Sequence, residues 1–171
     1  MALIVEDGSG VENANAYASV ADVVAYAASR GKTITPEAAE PLIFNAMDYL
    51  SMFDAKWSGR RSYPGQALAF PRYGIYFDQT PIPFDAMPPN LIAALGQLVI
   101  AQTQGVNLLG TDTREAFVTK EKVDVIETTY SEAVRIAQIQ AGGLLPQMPL
   151  VAALLAPLMG GGGFQIKTVR V

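Results

Sequence analysis

The residues best suited to chemistry lie in one stretch, KWSGRRSYPGQALAFPR, residues 56–72. Lys56, Arg60, Arg61 and Arg72 are interleaved there with Trp57, Tyr63 and Phe70, and no acidic residue interrupts them. Guanidinium groups bind phosphates and aromatic faces stack on bases, so the stretch is compatible with a platform for single-stranded nucleic acid. Gly59, Pro64, Gly65 and Pro71 also describe a tightly turned loop. On that second reading Trp57, Phe70 and Pro71 anchor the loop to the helices, while Arg60, Arg61 and Arg72 meet acids of the same or a neighbouring subunit. The net charge of −4 favours loop anchoring, because a dedicated nucleic-acid binder normally has a basic balance or a broad basic face. Any affinity for DNA must then be local.

Most other chemistry is excluded by residue type. The chain has no cysteine and no histidine, which removes thiolate and imidazole nucleophiles and bases, disulfides, and zinc sites of the common kinds. The acid pairs Glu6/Asp7 and Glu37/Glu40 fall at a turn and at a helix start, where carboxylates cap backbone N–H groups and favour the helix dipole. The run Gly160–Gly163 follows a helical pattern and precedes a strand-like one, the reverse of a phosphate-cradling loop. No catalytic residue, cofactor or metal ligand is expected, and the chain reads as a non-enzyme.

A length of 171 residues suits one domain with an arm. Charged residues are 16% of the chain, below the roughly 25% of ordinary soluble domains, so the surface is expected to be buried against partners. No run of about 18 apolar residues suggests a membrane span, and the N-terminus lacks the basic lead of a signal peptide. The expected fold is mainly α, a small helical bundle with a β-hairpin and a C-terminal strand-like arm. Residues 1–159 form the domain and 160–171 a glycine joint and arm.

Ser19 caps a first helix through Ser29, with Gly31 as its stop. Thr35-Pro36-Glu37 reads as a cap and first turn, but Pro41 cannot donate a backbone hydrogen bond, so the regular second helix is expected only from near Pro41, with Ile43, Ala46, Met47, Leu50 and Phe53 as its apolar stripe. Residues 54–87, punctuated by glycine and proline, form a long ordered loop. Pro88-Pro89-Asn90 opens a nearly all-apolar third helix that runs to Gly105. Residues 116–130 alternate as a hairpin or bent strand, 131–148 satisfy neither period, and Pro149 starts a short helix ending near Gly160. After the glycines, Phe164, Ile166, Lys167, Val169, Arg170 and Val171 compose an assembly arm suited to adding a strand to a sheet edge.

The opening LIVEDGSGVENANAYASVADVVAYAASRG, then AMDYL, WSGRR, GQALAFPR, EKVDVIETTY and LLAPLMGG, resembles the head-tail connector (adaptor, or head completion) proteins of tailed bacteriophages and prophages. Some sequences of this appearance carry the label DnaT-like single-stranded DNA-binding protein. The resemblance implies a structural virion protein of the neck, assembling as a homo-oligomeric ring of about twelve subunits. Such a ring docks on the portal protein, extends the channel for passing double-stranded DNA and presents a surface to a neck or tail-completion protein. The alternative is a single-stranded DNA-binding replication accessory.

Overall fold

The computed structural model of the chain describes residues 2–77, 79–109, 120–123, 126–129 and 148–160. Four α-helices are present among them: α1 (Val20–Ala28), α2 (Pro36–Ser51), α3 (Pro89–Thr103) and α4 (Pro149–Leu155). Helix α1 starts at Ser19, whose Oγ accepts from the Asp22 N–H while the Asp22 carboxylate accepts from the Ser19 N–H. This reciprocal pairing satisfies two orphan donors of the first turn.

Helix α2 corrects the expected start near Pro41. It begins one turn earlier, with Pro36 in its first turn, and carries Pro41 inside. The ring removes one donor near the N-terminal end, and the remaining turns, packed through buried Ala39, Ile43, Ala46, Met47 and Leu50, hold the helix together.

Helix α3 is the centre of the core. Leu91, Ala94, Leu95, Leu98 and Val99 are fully buried, and the helix packs on α1, α2 and α4. Gly96 lets α1 approach: a Cβ at that position would overlap the Tyr26 ring. Beside it, Gln97 Nε2 donates to the Tyr26 hydroxyl at 3.1 Å. Gly96→Ala should therefore destabilise the protein by about 1–2 kcal/mol, because overpacking outweighs the gain in helix propensity. Urea unfolding of Gly96→Ala, Tyr26→Ala and the double variant checks this, and the double should lose less than the sum of the singles.

The expectation of a mainly α bundle is corrected by the β structure that accompanies these helices. Three two-stranded antiparallel sheets occur among the described residues. Two lie within the loop 54–87: β1 (Arg60–Arg61) pairs with β2 (Arg72–Tyr73), and β3 (Tyr76–Phe77) with β4 (Thr80–Pro81). The third pairs β5 (Lys120–Val123) with β6 (Ile126–Thr129). The fold is thus a mixture of helices and small hairpins. The β3–β4 hairpin closes through Gln79 in the left-handed region (φ +64°), and the left-handed Gly59 (φ +67°) and Gly74 (φ +83°) stand at the open end of β1–β2, where a Cβ on Gly59 would overlap the Tyr73 carbonyl, all inside what reads by composition as irregular loop. The arm residues Phe164, Ile166, Lys167, Val169, Arg170 and Val171 lie outside the described residues.

The loop is tied down from both ends of the chain. After α4, a 3₁₀ turn (Ala156–Leu158) leads into Met159, which bridges to Trp57. The Ser58 N–H donates to the Leu158 carbonyl at 2.9 Å, and the Gly160 N–H to the Lys56 carbonyl at 2.8 Å. At the N-terminal end Glu6 is 1% exposed. Its carboxylate accepts from the N–H groups of Gly8, Gly10 and Val11, each at 2.9 Å. The turn so formed presses onto the loop, and side chains at Gly8 and Gly10 would overlap the Asp85 carbonyl and the Tyr63 ring respectively.

Candidate nucleic-acid interface

The loop is built around buried aromatic anchors. Phe70 is fully buried and Trp57 nearly so, with ring centroids 5.2 Å apart in an edge arrangement. Tyr17 meets the other side of Phe70 at 6.1 Å. The Phe70 N–H points at the Tyr17 hydroxyl (3.4 Å), and burial pushes that hydroxyl well above the usual tyrosine range. Pro71 is buried and follows a cis peptide bond.

Two polar side chains organise the backbone around these anchors. Gln66, 3% exposed, accepts from the Tyr63 N–H at 2.9 Å and donates to the carbonyls of Leu68 (2.8 Å) and Pro71 (3.0 Å). Arg72 donates to four carbonyls: Ser58 at 2.6 Å, Gly59 at 2.8 Å, Ala69 at 3.3 Å and Trp57 at 3.4 Å. Burial, and after it the nearby Arg61 charge, lower its pKa from the ordinary guanidinium value. Arg72 is thus engaged within the loop, separate in role from the two arginines with which its sequence groups it.

Arg60 and Arg61 face outward. Arg61 lies 3.6 Å from the Asp54 carboxylate, with both side chains nearly half exposed, a geometry worth at most about 1 kcal/mol. Arg60 pairs across the strands with Tyr73, its guanidinium 5.9 Å from the ring centroid. Arg60, Arg61, Ser62, Tyr73 and Phe84 line an open hollow of about 320 Å³. Tyr73 (58%), Tyr76 (63%), Phe77 (48%) and Phe84 (51%) are strongly exposed, an unusual expense of large rings on a surface. Ser62 Oγ donates to the Phe84 carbonyl at 2.6 Å, which fixes the 84 region against β1.

The sequence stretch 56–72 therefore separates into two parts. Trp57, Gln66, Phe70, Pro71 and Arg72 make the frame, and Arg60 and Arg61 line a hollow with Tyr73 and Phe84, Tyr76 and Phe77 being exposed on the next hairpin. Those four rings escape a reading centred on 56–72. The available signal was their spacing around Ile75, which is buried while its neighbours in RYGIYF point out. Such a surface can stack planar bases on rings and pair phosphates with guanidinium groups. Among the described residues no cluster of three or more His, Cys, Asp or Glu could hold a metal ion, and no helix is long and apolar enough to cross a membrane.

A family model described as "Putative DnaT-like ssDNA binding protein" matches residues 1–171, and the chain belongs to that family. No curated protein and no solved structure matches the chain.

Proposed function

We propose that the protein binds single-stranded DNA through Arg60, Arg61, Tyr73, Tyr76, Phe77 and Phe84. The observation that carries this reading is that two strongly exposed rings, Tyr73 and Phe84, line one hollow with Arg60 and Arg61, while Tyr76 and Phe77 are exposed on the hairpin that follows in the chain. The family description supports it. Unstacked bases slide onto exposed rings, whereas in a duplex their faces are already covered, so single strands are preferred. Because the chain carries a net charge of −4, binding is confined to this strip and is sensitive to salt.

Fluorescence anisotropy with a labelled oligothymidine at low salt tests the proposal. Tyr73→Ala with Phe84→Ala should weaken binding about tenfold or more, given ~1–3 kcal/mol per stacked base. Arg60→Ala with Arg61→Ala should also lower the slope of log K against log salt by about 1.4, at ~0.7 per phosphate on a single strand. Absence of binding at low salt overturns the assignment.

A second reading, a ring-forming virion subunit between portal and tail, draws on the head-tail connector resemblance. It is favoured by one observation, the low share of charged residues, 16% of the chain against roughly 25% in ordinary soluble domains, which suits burial between subunits. It requires ring-sized particles by native mass measurement without DNA, alone or with portal protein. A monomer in both conditions removes it.

A further inference from the structure

The cleft between α2 and the loop has a character opposite to that of the arginine strip. It measures about 360 Å³, with apolar walls that include Phe44, Met47, Leu50 and Leu68, and its rim carries Asp48 and Asp54. Phe44 and Leu68 are only half-buried, and both aspartates are exposed. An acidic rim around an apolar floor repels phosphates and suits an extended segment that carries both apolar and basic residues and no acid.

The chain itself contains such a segment. No Asp or Glu follows Glu132, and FQIKTVRV, residues 164–171, combines Phe164 and Ile166 with Lys167 and Arg170. Position favours it as well. The Gly160 N–H is bonded to the Lys56 carbonyl, and Lys56 shares a 3₁₀ turn with Asp54 (Asp54–Lys56), which lines the cleft. Residues 161–163, all glycine, span up to about 10 Å when extended, against a rise of roughly 4 Å across that turn. So short a tether gives the segment a high effective concentration at the cleft.

We propose that residues 164–171 dock in this cleft of their own chain, with Phe164 and Ile166 on the apolar walls and Lys167 and Arg170 against Asp48 and Asp54. The docking is intramolecular and independent of DNA binding, so its test does not depend on the function proposed above.

Amide hydrogen exchange of the full chain, followed by mass spectrometry, reads the segment directly. Residues 164–171 should exchange about tenfold more slowly than an unstructured peptide of the same sequence, the protection given by a docked population near 90%. Asp48→Lys with Asp54→Lys should remove most of that protection, and adding Lys167→Glu and Arg170→Glu should restore it. Asp54 also neighbours Arg61, so Asp48→Lys alone, at an exposed helix position, serves as the variant that leaves the loop intact and should lose part of the protection. Unprotected exchange in the parent chain overturns the proposal, as does protection unchanged in both aspartate variants. Protection that vanishes on dilution also overturns it, by placing the contact between copies.

Discussion

Phe70→Ala is expected to lower the free energy of unfolding by about 3–5 kcal/mol, the range for truncating a fully buried phenylalanine. The ring has no exposed surface and is gripped edgewise by Trp57 and Tyr17. Those partners belong to different stretches of chain, so the void left by alanine cannot be closed by one local adjustment. A domain of this size has about 5–15 kcal/mol in total, and the loss should appear as a large fall in the urea midpoint with a nearly unchanged slope. Phe70→Leu, which keeps much of the volume, should lose markedly less. A loss below about 1 kcal/mol for Phe70→Ala would show that the loop is not anchored through this ring.

Arg72→Ala should destabilise the protein by about 2–4 kcal/mol, because charged hydrogen bonds are lost and carbonyl groups are left without a donor. Lysine is no remedy, since one ammonium on a flexible stem cannot span the planar set of acceptors that the guanidinium reaches. Arg60→Ala, by contrast, should change stability by no more than about 0.5 kcal/mol, and Arg61→Ala, which loses Asp54 and a 3.4 Å bond to the Gln66 carbonyl, by about 1 kcal/mol, both while weakening DNA binding. The measurement is a pair of curves for each variant, urea unfolding and oligonucleotide anisotropy. If Arg72→Ala were as stable as the parent and defective only in binding, Arg72 would have to be moved from the frame to the contact surface.

The helices were the most legible part of the molecule. Ser19 and Asp22 announce the start of α1, and the spacing of Leu91, Ala94, Leu95, Leu98 and Val99 announces the buried face of α3. Pro41 misleads because a helix survives the loss of one donor when its other turns are packed. The two small sheets within 54–87 were hidden for a different reason: strands of two residues have no period to read, whereas the four-residue strands at 120–129 fall inside the alternating stretch 116–130. The site was half visible. Trp57 and Phe70 stand out as large apolar residues inside a turn-rich stretch, but the acceptors of Arg72 are backbone carbonyls, which leave no mark in the sequence. The division of aromatics between core and surface likewise depends on three-dimensional burial, so Tyr73, Tyr76, Phe77 and Phe84 read no differently from Phe70.

The carboxylate of Glu6 bears on how DNA could be held at all. Concave arrays of backbone N–H groups are the usual way a loop captures a phosphate without spending side chains. Here one such array, from Gly8, Gly10 and Val11, is already filled by an anion that the chain supplies itself. The turn's N–H groups are thus taken up within the chain and not offered to a phosphate. On the proposed function, this turn then contributes nothing to the grip on a phosphate, and the contact falls to the guanidinium groups of Arg60 and Arg61, which salt screens.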